Sequence, residues 1–251
     1  MNDIHEVLII FIGEFYIMRI KIINPNTCKE MTESIAQAVK CYAAFGTEIV
    51  VTNPQSGPFT IDSLYDEALS LKGVLEEIKS GIADKYDGFI IACFNDPGLF
   101  AARELSIAPV IGIAEASFFA ACMLGYRFSI LSNLNSEEAA MWELVKRYGI
   151  ESRCASVRPA GVNVLDCEND KIVVKNALVQ AGRLAIEKDK AEVLCLGCAG
   201  MVNLDKDLEI ELGVPVIDPV VVALKAIEGL ISCGKKTSKI LSFRLPKSKD
   251  F

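Results

Sequence analysis

The chain has 251 residues, enough for one large or two small α/β units that each bury a core. Hydrophobic residues make up 51% and charged residues 24%, a globular balance that argues against disorder, and the net charge of −7 argues against a nucleic-acid surface. No apolar run is long enough for a bilayer, no secretory signal stands out, and the cysteine count of nine is odd. Reduced thiols in a cytoplasmic protein are therefore expected, without a membrane or nucleic-acid partner.

Residues 1–17 carry a short apolar run, Val7 to Ile12, followed by Glu14. They read as an N-terminal appendage, with Met18 as the functional start. His5, the only histidine, lies in that stretch, so triads or metal sites built on histidine are not expected. The cluster Lys235, Lys236, Lys239 and Arg244 reads as a solvated end, and 246–251 as a tail.

From Met18 the chain alternates. Short apolar runs predict strands near 19–24, 47–52, 87–93, 109–113, 127–132, 154–158, 192–197 and 214–217. Helices are expected near 28–43, 65–82, 98–105, 115–125, 136–148, 170–188, 201–212 and 219–232, with Ser136 and Asp170 as start signals. Strands alternating with helices of this length imply right-handed crossovers and parallel sheets. The pattern also repeats. Arg19–Ile23 recurs loosely as Arg127–Leu131, Pro109-Val110-Ile111 recurs as Pro215-Val216-Ile217, and Cys93 recurs as Cys198, 105 positions on. A period this long fits two similar α/β lobes better than a solenoid.

Each of the two cysteines ends an apolar strand and precedes a glycine-bearing turn, Asn95-Asp96-Pro97-Gly98 or Ala199-Gly200. That places both side chains at the carboxyl edges of sheets, where open α/β folds bind ligands. A small core hydrophobe is the ordinary reading of one such cysteine, as it is for Cys41, Cys122, Cys154 and Cys167. Equivalent placement in a duplicated pattern favours a paired role for Cys93 and Cys198. Cys195 and Cys198 form a CxxC spacing, but strand alternation points them to opposite faces and no further ligand pair accompanies them.

The segment Cys93-Phe94-Asn95-Asp96-Pro97-Gly98-Leu99 resembles the first cysteine motif of the hydantoin and allantoin racemases, within the aspartate/glutamate racemase superfamily. Leu196-Gly197-Cys198-Ala199-Gly200-Met201 is similar to their second motif. Asn24-Pro25-Asn26-Thr27, Gly57-Pro58, Tyr65-Asp66-Glu67 and Gly112-Ile113-Ala114-Glu115-Ala116 resemble further signatures, so that the likeness runs from Met18 to about Gly234. The family commonly carries Gly at the place of Asn95 and Thr-Thr at the place of Ser132-Asn133, differences that bear on substrate more than on reaction type.

The resemblance implies two pseudo-twofold lobes with a cleft between them. It also implies helix exchange, with lobe 1 formed by 18–113 plus 219–245 and lobe 2 by 114–218. It implies a cofactor-independent racemase of a small molecule, inverting a stereocentre next to a carbonyl, with Cys93 and Cys198 as the acid/base pair. Substrate contacts are expected from Asn26, Asn95, Asp96, Gly197, Ala199, Gly200, Glu115, Phe119 and Ser132, with no metal. Inversion suits two groups on opposite faces in opposite protonation states, and a helix start after each cysteine is expected to favour thiolate. For Asn26, Asp96, Glu115 and Phe119 a cap, a turn, a helix start and a core site remain open as alternatives. An aspartate/glutamate racemase, a decarboxylase or cis–trans isomerase of the superfamily, and a two-lobed binding protein are the other functions considered. A homo-oligomer is expected.

Overall fold

A computed structural model of the chain describes residues 17–166 and 170–247. The expectations for residues 1–16, with His5 and the run Val7 to Ile12, for Cys167 and for 248–251 lie outside the described residues.

Eight strands form two four-stranded sheets. The first contains β1 (Met18–Ile23), β2 (Thr47–Thr52), β3 (Gly88–Ile91) and β4 (Val110–Gly112) in the order β2-β1-β3-β4. The second contains β5 (Phe128–Ser132), β6 (Cys154–Pro159), β7 (Val193–Leu196) and β8 (Val216–Ile217) in the order β6-β5-β7-β8. All six pairings are parallel. Every residue of β3, β5 and β7 is buried, as expected of central strands covered on both faces.

The two sheets share one register. Ile20 stands opposite Gly88 and Phe128 opposite Val193, while Ile23 meets Ile91 and Leu131 meets Leu196. Ile23 therefore corresponds to Leu131 and Ile91 to Leu196, and the duplicated order is a property of the pairing as well as of the sequence.

The helices are α1 (Lys29–Lys40), α2 (Leu64–Ala83), α3 (Leu99–Leu105), α4 (Ile113–Leu124), α5 (Glu138–Arg147), α6 (Lys171–Glu187), α7 (Asp205–Leu212) and α8 (Pro219–Ser232). Asp170 caps α6 by accepting from Val173 N–H at 3.1 Å. Ser136 does not start α5. It lies in a 3₁₀ turn, Asn135–Glu137, whose Glu137 carboxylate accepts from the amides of Asn133 and Leu134 at 3.0 and 3.1 Å. The helix expected from 201 begins only at Asp205, because Asn203 takes a left-handed φ of +65° and gives its N–H to Asp218.

Two helices leave the sheet they follow. α4 comes after β4 yet packs on the second sheet, where Phe118 stacks on Phe128 with ring centroids 5.4 Å apart. The Cys195 thiol of β7 also donates to the Ser117 carbonyl of α4, at 3.8 Å. α8 comes after β8 and packs on the first sheet, where Ile227 and Ile231 fill the space that a side chain at Gly88 would need. The segment after α8 stays on the first lobe: Thr237 N–H donates to Ile107 O at 2.9 Å and Lys239 Nζ to Glu104 O at 3.1 Å. Lys239 is thus tethered to backbone carbonyls, unlike the solvated lysine expected of that cluster.

One large apolar cluster joins both sheets with α1, α4 and α8. A smaller one, with Val74, Ile78, Phe89 and Leu99, lies on the other face of the first sheet. Each fully buried Ile or Phe contributes about 1.5–3 kcal/mol relative to exposure. Among the described residues no helix is long and apolar enough to cross a membrane.

Candidate active site

The carboxyl ends of β1 and β3 meet those of β5 and β7 around one small cavity. Cys93 stands two residues beyond β3 and Cys198 two residues beyond β7, and both line this cavity. Its free volume is about 30 Å³, near the share of one water in the liquid.

Both sulfurs have the same kind of backbone partner. Gly200 N–H donates to Cys198 Sγ at 3.4 Å, and the Asn95 amide is directed at Cys93. An amide donor stabilises charge on sulfur. At Cys93 a second influence is larger: burial pushes its thiol up to about 12, with the carboxylates of Glu67, Asp96 and Glu137 adding to the rise. Although Cys93 keeps partial exposure at the cavity wall, the free protein holds it as a thiol at neutral pH. The helix expected near 98 is present, but α3 begins at Leu99, six residues after Cys93 and after Gly98 with φ +72°, so its first turn does not adjoin the sulfur. Cys198 directly precedes a 3₁₀ turn, Ala199–Met201. Cys195 points away into α4, so the CxxC spacing does not bring its two sulfurs to one site.

Of the expected contacts, Asn26, Asn95, Gly197 and Ala199 line the cavity with the two cysteines. Gly197 permits a close approach: a Cβ there would lie 2.8 Å from the Leu131 carbonyl oxygen and 3.1 Å from Ser132 Cα. Gly200 acts through Cys198 Sγ and does not line the cavity.

Four other expected contacts do not line the cavity. Ser132 is fully buried behind Gly197, with its hydroxyl unpartnered, and the next residue, Asn133, lines the cavity instead. Asp96 turns away from the cavity, at a φ of +48°. Its carboxylate accepts from Ala114 N–H at 3.0 Å, Glu115 N–H at 2.9 Å and the Tyr148 hydroxyl at 2.6 Å, so it caps α4 from the opposite lobe. Burial raises it to about 7 against the pull of those donors. Glu115 pairs with Arg103, and Phe119 lies half exposed in a separate groove between α4 and α8. Polar and aromatic residues close to a motif in sequence were thus carried to another face by the start of α4.

Three polar cavity residues went unpredicted: Asn24, Asn133 and Glu137. Asn24 Nδ2 donates to Asn26 Oδ1 at 2.8 Å and to Thr32 Oγ1 at 3.0 Å. That leaves Asn24 Oδ1 buried at the wall with no hydrogen-bond partner. Asn24 and Asn133 follow β1 and β5 directly, so the rule that ligands collect at carboxyl edges would have found them. Burial raises the Glu137 carboxyl despite two backbone donors. The apolar part of the lining is formed by Met31, Ile61, Ala92, Phe94, Met141, Val164 and Ala199. No Lys, Arg or His side chain is among the described residues lining the cavity.

This geometry has counterparts. The Asp/Glu/Hydantoin racemase family model matches residues 20–227. A hydantoin racemase of Pseudomonas sp. (strain NS671) is 46% identical, over 93% of this chain and 94% of that protein. One from Paenarthrobacter aurescens is 40% identical, over 93% and 100%. Among solved structures, the allantoin racemase from Klebsiella pneumoniae superposes with a TM-score of 0.90 at 40% identity, covering 93% of this chain and 96% of that one. A doubled parallel sheet, a cysteine at the same edge of each half and matches over nine-tenths of the chain agree, and the chain belongs to the Asp/Glu/Hydantoin racemase family.

Proposed function

We propose that the chain racemises 5-substituted hydantoins by moving protons between Cys93 and Cys198 across the substrate plane. The observation that carries this reading is the pair of thiols at equivalent strand ends of two lobes, lining one cavity.

In the free enzyme Cys93 is the thiol, because burial disfavours its charge. Cys198, with the Gly200 amide on its sulfur, is then the base. The Cys198 thiolate takes the hydrogen at C5 of the ring, forming an S–H bond as the C–H bond breaks. The electron pair moves into the adjacent carbonyl as an enolate, and Cys93 delivers its proton to the opposite face. The products are the inverted hydantoin, a Cys93 thiolate and a Cys198 thiol, ready for the reverse direction. The scheme is redox-neutral and calls for no cofactor. The substrate's own apolar surface against Met31, Ile61, Phe94, Met141 and Val164 would displace water, which strengthens each electrostatic contact to the developing enolate.

Two features favour a neutral cyclic imide over a free amino acid. The cavity offers no cation to an α-carboxylate. The unpartnered Asn24 Oδ1 is an acceptor suited to a ring N–H. A homo-oligomer in a reducing cytoplasm belongs to the same reading. It is supported by the exposed apolar Phe119 and Met123 on α4. Sedimentation tests the assembly.

A circular-dichroism screen over 5-substituted hydantoins, allantoin, aspartate and glutamate tests the substrate, with hydantoins expected to lose optical rotation fastest. Cys93→Ser and Cys198→Ser should each lose racemisation by about 10²-fold or more, since a serine hydroxyl does not ionise at neutral pH. Each variant should still exchange the C5 hydrogen of one enantiomer with D₂O, and the two should choose opposite enantiomers. Exchange of the same enantiomer by both would refute the two-thiol scheme.

A further inference from the structure

The inner cavity, at about 30 Å³, does not by itself hold a 5-substituted hydantoin. Next to it runs a groove of about 330 Å³, formed by Leu64 and Glu67 of α2 on one lobe and Ala139, Ala140, Glu143, Leu144 and Arg147 of α5 on the other. One residue, Asn95, lines both spaces. Its Nδ2 donates to Glu67 Oε2 at 2.9 Å, so the side chain lies across the boundary, tied to the first lobe. It stands two positions from Cys93, and the Glu67 carboxylate is close enough to Cys93 to raise its thiol. The partition thus borders the reacting centre.

We propose that the α2–α5 groove is the subsite for the 5-substituent of the substrate, and that the Asn95–Glu67 contact is the partition that decides how large a substituent enters. The assignment rests on the hydantoin reading above. The ring occupies the inner cavity after the lobes part, with C5 between the sulfurs, and the substituent projects past Asn95 over Leu64, Ala140 and Leu144. Leu144 is buried and Leu64 exposed, giving the groove an apolar floor and an open outer end. Arg147 and Glu143 stand at its margin, where neither needs to be desolvated by a hydrocarbon group.

The test is the ratio of kcat/KM for 5-benzylhydantoin to that for 5-methylhydantoin, measured by loss of optical rotation. Ala140→Phe fills the groove and should lower the ratio at least tenfold. Asn95→Ala removes the partition and should raise it at least threefold, and Glu67→Gln, which keeps the shape but weakens the tie, should raise it less. Folded concentration is checked by far-ultraviolet circular dichroism, and should Ala140→Phe not fold, Asn95→Ala carries the test. Ratios within twofold of wild type in the folded variants, with wild type racemising both compounds, would overturn the subsite alone. Wild type inactive on every hydantoin would overturn the substrate reading and the subsite with it.

Discussion

At the scale of single residues, Asp96 shows how a side chain beside a cavity residue can be committed to the opposite lobe. It leaves the first lobe three positions after Cys93 and closes the start of α4, which packs on the second sheet. Gly112 makes room for it: a Cβ there would lie 2.1 Å from Asp96 Cγ. The segment Gly112 to Ala116 thus supplies the space and the two amides that Asp96 needs. Gly112→Ala should expel the carboxylate and loosen the Cys93 turn, lowering kcat by about 10²-fold, the scale of a 1 Å misplacement. Folding raises the Asp96 carboxyl from its ordinary 3.8 to about 7, so between those values the native protein binds the extra proton. Its contribution to stability is full below about pH 4 and is lost as pH rises toward 7. Urea midpoints of wild type should therefore fall more steeply over that interval than those of Asp96→Asn. Equal slopes would show that Asp96 does not hold the proton.

At the scale of elements, the same helix-start problem is solved twice with different residues. α4 is capped from a distance by Asp96, whereas α8 is capped by its own Asp218, which accepts from Val220 N–H at 3.0 Å and Val221 N–H at 3.1 Å. Asp218 also holds Asn203 N–H at 3.1 Å, fixing the turn that ends the Cys198 segment. Asp218→Ala should cost about 2–4 kcal/mol in urea unfolding, a cap plus an abandoned buried donor. Gly197→Ala should leave the fold in place but displace Cys198, because its new methyl meets backbone at 2.8 Å, and activity should drop about 10²-fold. Period and punctuation made the elements legible, down to α8 beginning at Pro219 after Asp218. Strand ends showed both cysteines. What stayed hidden was which neighbour of a cysteine turns inward. Asp96 and Asn95 are adjacent, yet one faces α4 and the other the cavity, because Asp96 adopts a left-handed φ that local pattern does not reveal. Glu137 was unreadable for another reason, since it reaches the cavity from the opposite lobe.

At the scale of the whole molecule, the fold is one continuous core made from two copies of a pattern. The shared register brings Cys93 and Cys198 to matching places, giving a near-twofold site for two mirror-image substrates. The match is incomplete. By the same register Asn24, just after β1, corresponds to Ser132, the last residue of β5, and of the two only Asn24 reaches the cavity wall. The two enantiomers should thus be handled with unequal KM, while the ratio of their kcat/KM values stays fixed at unity by the equilibrium of racemisation. Separate progress curves from each enantiomer measure both.

The exchanged helices impose an order on synthesis. β1 to β4 leave the ribosome first, but the helix that covers β3 is α8, more than a hundred residues later in the chain. A nascent chain ending before Pro219 exposes an apolar sheet face with nothing to shield it, and such surfaces aggregate. Closing that gap means joining segments far apart in sequence, which slows folding. Truncation after Val214 should therefore yield insoluble protein, and adding back a peptide of residues 215–245 during refolding should recover part of it. The first lobe to be made is the last to be finished.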